Sequence, residues 1–76
     1  MLLEVIAVEN FYDKMESLLK RADDKRIKYT HHLIIKENGN TIHKLQFKSS
    51  QKRLYEFVKE STDLLKKTTD NKIVVA

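Results

Sequence analysis

The sequence predicts a small α+β domain with the element order β-α-β-β-α-β. Three observations carry that expectation. Two runs of alternating polarity flank the chain's only glycine. Two stretches repeat their apolar residues at helical spacing. A β-branched apolar segment stands at each end of the chain.

The first strand is Leu2 to Val8, "LLEVIAV", apolar on both alternating faces, and we read it as buried on both sides. A helical start is the competing reading, which would leave an α+β fold built on a central hairpin. Asn10 argues against it as a good N-cap, with Asp13 at the third helical position, where the helix dipole favours an acid. Phe11, Met15, Leu18, Leu19 and Ala22 then recur at helical spacing, so the first helix is expected from about Phe11 to Ala22, closed by "DDK".

Arg26 to Lys36 and Thr41 to Lys48 both alternate and predict a β-hairpin. A two-residue Asn38-Gly39 turn would set lysines opposite the apolar row. A three-residue Glu37-Asn38-Gly39 loop, with Gly39 left-handed in a G1 bulge, pairs like with like. Tyr29 then faces Phe47, His31 faces Leu45, Leu33 faces His43 and Ile35 faces Thr41. On the reverse side Ile34 faces Ile42, His32 faces Lys44 and Lys28 faces Lys48. Ser49 or Ser50 caps a second helix, whose apolar face runs through Leu54, Tyr55, Phe57, Val58, Ser61, Leu64, Leu65 and Thr68. "TTDN" ends it and "KIVVA" supplies a last short strand. The simplest packing of these elements is a ferredoxin-like sandwich, an antiparallel sheet with two helices on one face.

The 76 residues suit a single domain, residues 1–76, with a thin stability margin. No cysteine is present, so neither a disulfide nor a thiolate metal site is available, which fits a reducing compartment and an expected cytoplasmic location. The opening "MLLEVIAV" is too short to span a membrane, lacks a basic n-region and reaches Glu4 at once, so neither a signal peptide nor a membrane partner is expected. Fifteen Lys and Arg against eleven Asp and Glu give a net charge of +4, a mild bias toward acidic or polyanionic partners.

Motifs of catalysis are missing from the sequence. The serines lack a nucleophile setting, a single glycine forbids a phosphate loop, and Glu56 and Glu60 read as a solvated helix face. His31 and His43 lie diagonally on one face among Tyr29, Leu33, Leu45 and Phe47, without further ligands at a useful spacing. We expect packed histidines at the edge of the core, with no metal and no cofactor.

Two features invite a partner. Lys48, Ser49, Ser50, Lys52 and Arg53 put cations and hydroxyls at the start of the second helix, where an anion would be favoured. The reverse side of the hairpin sets Lys28, Lys36, Lys44 and Lys48 around Ile34 and Ile42 with no acid among them, and the first strand adds either Leu2, Ile6 and Val8 or Leu3, Val5 and Ala7. The expected function is a non-enzymatic interaction module, acting as an adaptor, regulator or inhibitor. It would bind an acidic protein surface, or pair with itself as a dimer, through this open sheet face. The alternative is a nucleic-acid-binding protein using the same lysines and the basic helix start. Base stacking is disfavoured, because Tyr29 and Phe47 point to the core side.

Overall fold

The computed structural model describes residues 1–8 and 12–74, with the Tyr12 side chain outside the description. The elements are β1 (Leu2–Val8), α1 (Tyr12–Asp24), β2 (Lys28–Ile35), β3 (Thr41–Lys48), α2 (Gln51–Glu60), α3 (Thr62–Leu65) and β4 (Asp70–Val74). The strands form one antiparallel sheet in the order β2-β3-β1-β4. The chain is therefore α+β. No helix among the described residues is long and apolar enough to cross a membrane.

Alternation decides the two faces. Leu3, Val5 and Ala7 of β1 and His43, Leu45 and Phe47 of β3 are buried under Met15, Leu18 and Ala22 of α1, Leu54 and Phe57 of α2, and Leu65 of α3. Each fully buried large side chain here contributes about 1.5–3 kcal/mol of transfer free energy. Phe47 is the hub, its ring 5.1 Å from Phe57 and 5.9 Å from Tyr29 between centroids. The expected two-sided burial of β1 is corrected, since Leu2 and Ile6 are only half-buried and Val8 is exposed. The helices lie on the opposite face and leave this one to solvent.

The hairpin register is the one the like-with-like pairing predicts, from Lys28 opposite Lys48 to Ile35 opposite Thr41. Gly39 has φ +85° and its N–H donates to the Lys36 carbonyl at 2.9 Å, while the Lys36 N–H donates to the Asn40 carbonyl at 2.9 Å. Asn38 Oδ1 accepts from the Asn40 N–H at 3.1 Å and stiffens the turn.

The helices differ from expectation at their ends. The Asn10 cap and the Phe11 core position lie outside the described residues, and α1 runs on to Asp24. It is closed by Arg26 in the left-handed conformation (φ 57°), with Ile27 N–H donating to the Ala22 carbonyl and Arg26 N–H to that of Asp23. That is a Schellman closure, normally made with glycine. The second helix divides at Ser61, so the expected continuous face to Thr68 becomes α2 plus the single turn α3, and Tyr55 is exposed. The last strand runs Asp70–Val74, earlier than "KIVVA", whose last two residues lie outside the description.

Two links tie the helices together on the outside. Arg21 holds Asp63 through Nη1–Oδ1 at 2.9 Å and Nη2–Oδ2 at 3.2 Å, and Nη1 also donates to the Glu60 carbonyl. Lys25 Nζ meets Glu60 Oε2 at 2.6 Å. The Arg21 guanidinium holds the Asp63 carboxyl below the usual carboxylate range, mainly through its hydrogen bonds.

Candidate interaction surface

The helix-free face can be read as four rows across the sheet, because residues paired between antiparallel strands point the same way. At the hairpin end, Val8, Ile42 and Ile34 form an apolar row over three strands. Next come Asp70, Ile6, Lys44 and His32, and then Lys72, Glu4, Gln46 and Thr30. The far row is Val74, Leu2, Lys48 and Lys28.

This layout corrects the expectation of an apolar centre ringed by lysine with no acid. The apolar row lies at one end, flanked by Lys36 and Lys44, and the Lys28–Lys48 pair stands at the other. Glu4 brings an acid into the middle. Its Oε2 lies 3.8 Å from Lys44 Nζ and accepts from Gln46 Nε2 at 3.5 Å. Lys44 is thus partly neutralised, while Lys28, Lys36 and Lys48 are exposed. Glu4 was legible as a marker: an acid in an apolar strand selects the open face, and it carries Leu2, Ile6 and Val8 with it.

The exposed aliphatics continue around the hairpin end. Ile34 is 45% exposed, Val8 41%, Leu33 57% and Ile35 70%. Leu33 and Ile35 alternate with the core row and were expected to belong to it. They are instead uncovered on the helix side.

At the β3–α2 junction Ser50 and Arg53 are engaged internally. Ser50 is the N-cap of α2, its Oγ accepting from Arg53 N–H at 3.4 Å. The Arg53 guanidinium donates to the Lys25 carbonyl at 3.4 Å, and Ser49 N–H donates to the Met1 carbonyl at 3.4 Å. Lys52 is exposed. Cations remain at the helix start, but two of its polar groups already serve the fold.

The expected diagonal approach of His31 and His43 is found. His31 Nε2 and His43 Nδ1 lie 2.9 Å apart, with the rings stacked at 5.1 Å. His43 is buried, whereas His31 lies at the exposed edge. Desolvation, followed by the charges of His43 and His32, holds the His31 pKa below its ordinary value. Among the described residues no group of three or more His, Cys, Asp or Glu side chains is placed to hold a metal ion.

Compared with models of protein families, with curated proteins and with solved structures, the chain matches none.

Proposed function

We infer that the protein is a small non-enzymatic interaction module, an adaptor, regulator or inhibitor. It receives a protein partner, either an acidic surface or a second copy of itself, at the hairpin end of its sheet. One observation carries this reading: Val8, Ile34, Leu33 and Ile35 are all exposed at that end, next to half-buried Ile42. Scattered exposed aliphatics are ordinary, but an apolar row across three strands on the open face, with Leu33 and Ile35 also exposed on the other face of the same end, is a mark of a contact surface. Lys36, Lys28 and Lys48 supply the steering charge toward an acidic partner. The architecture read with this function is ferredoxin-like. Its support is the order β2-β3-β1-β4 together with two β-α-β passages that each skip one strand.

A second reading, contact with nucleic acid or another polyanion, is favoured by Lys28 standing directly opposite Lys48, a repulsive pair with both side chains exposed. Two sets of variants separate the readings. Ile34→Asp with Ile42→Asp should weaken protein contact by more than about tenfold, or 1.4 kcal/mol. Lys28→Ala with Lys48→Ala should leave protein contact nearly intact and flatten the salt dependence of any nucleic-acid binding. Unchanged protein binding by the isoleucine variant would overturn the module reading at this surface.

A further inference from the structure

The sheet has two free edges, and the chain treats them differently. β4 is short and carries Asp70 and Lys72, the usual protection of an edge against pairing. β2 is longer, and from Tyr29 to Ile35 it contains no charged residue, glycine or proline. Lysine stands only at its ends, Lys28 and Lys36. Tyr29, Thr30, Ile34 and Ile35 are β-favouring, and the strand's last three residues are the exposed Leu33, Ile34 and Ile35.

The direction of its backbone groups follows from the turn. The Lys36 N–H bonds to the Asn40 carbonyl, so even-numbered residues of β2 exchange hydrogen bonds with β3. Tyr29, His31, Leu33 and Ile35 therefore aim their N–H and C=O groups out from the sheet. On a bare edge those groups face water, and the aliphatic side chains beside them stay uncovered.

We propose that β2 pairs antiparallel with β2 of a second copy of this chain, centred on Leu33, joining two sheets into one. This deepens the interaction-module reading and rests on it. Outward-facing odd residues must meet odd residues of the copy, which leaves four registers near the middle of the strand. Centring on His31 sets Ile35 opposite the buried Ile27 and Lys36 opposite Arg26, both before the strand at the closure of α1. Centring on His32 sets Lys28 against Lys36 of the copy twice, a repulsion at each end. Centring on Ile34 runs the ladder into the Glu37-Asn38-Gly39 turn after the Leu33–Ile35 rungs. Centring on Leu33 gives a Leu33–Leu33 rung and two Ile35–His31 rungs, and it sets Ile34 beside His32 and Lys36 beside Thr30. No lysine meets a lysine, and Leu33, Ile34 and Ile35 are covered on both copies. The two-fold axis makes the contact self-complementary and closed, so it stops at a dimer.

The test uses the intact chain. Sedimentation equilibrium should give a mass twice 9.0 kDa, and amide exchange should show the Leu33, His31 and Ile35 N–H groups protected although they face away from β3. The chain has no cysteine, so Leu33→Cys should form a disulfide-linked dimer under mild oxidation, and a Thr62→Cys control on α3 should not. Leu33→Lys, at an exposed position, should keep the native circular dichroism and lose the dimer. A monomeric mass with fast exchange at these amides overturns the pairing. So does a dimer that survives Leu33→Lys. If the protein is monomeric but binds an acidic protein in an Ile34-dependent way, the self-pairing falls and the module reading stands.

Discussion

His31 Nε2 and His43 Nδ1 sit 2.9 Å apart, one ring exposed at the sheet edge and the other buried under the helices. One nitrogen must donate and the other accept, so the pair is satisfied while His31 is neutral. Protonating His31 adds a charge to a ring whose desolvation and histidine neighbours oppose it. The folded-state pKa is therefore lower than the unfolded value. The unfolded chain takes up the proton first as pH falls, so the stabilising contribution is present above about pH 6.5 and is lost on descending through the lowered folded value. Thermal melts between about pH 7.5 and 5.5 should show a falling midpoint, less steep in His31→Gln. An NMR titration of the His31 ring should give a midpoint below that of a free histidine.

The two left-handed positions should respond in opposite directions. Arg26 occupies the closing position of α1 at φ 57°, so Arg26→Gly should stabilise by about 1 kcal/mol. Gly39 has φ +85° and open space around a would-be Cβ, so Gly39→Ala meets no clash and still destabilises by about 1 kcal/mol through backbone strain alone. Chemical denaturation of both variants measures the contrast. Equal signs would show that backbone handedness does not govern either site.

Ser61 is fully buried where α2 gives way to α3, and its hydroxyl has no partner among the described residues. An unpaired buried hydroxyl costs about 1–3 kcal/mol of desolvation. Ser61→Ala removes it with little change of volume and should raise the denaturation midpoint. A clear loss of stability would mean that the hydroxyl is satisfied.

Phe47 joins the sheet to α2 and supports Tyr29. Phe47→Ala should cost about 3–5 kcal/mol, most of the stability of a domain this small. The variant should be largely unfolded by circular dichroism at room temperature. Phe47→Leu should fold with a lowered midpoint.

The outer bridge between Arg21 and Asp63 is solvent-exposed and bidentate, and it connects elements far apart in sequence. Its small contribution should shrink as salt screens it, so Asp63→Asn should lower the midpoint at low ionic strength more than at high.

The hairpin was legible because its determinants are local. A period of two, a single glycine and the avoidance of lysine opposite leucine select one register, and the chain adopts it. The surface was legible only in part. Ile34, Ile42 and the lysines share a face as alternation requires, but their arrangement into an apolar end, a mixed middle and a lysine end needed β1 and β4 laid beside them. Glu4 is the clearest instance: its place next to Lys44 follows from strand order rather than from neighbours in sequence.

From its own residues the chain determined the order of elements, the turn and the division of the central ribbon into two sides, since each depends on contacts within a few positions. Tertiary packing alone decided how much of the inner side is covered. Leu33 and Ile35 carry the same pattern as Leu45 and Phe47, yet they end in solvent at the outermost strand while the β3 pair is buried in the middle of the sheet. Alternation sets which way a side chain points; strand order and the reach of the helices set whether anything lies above it.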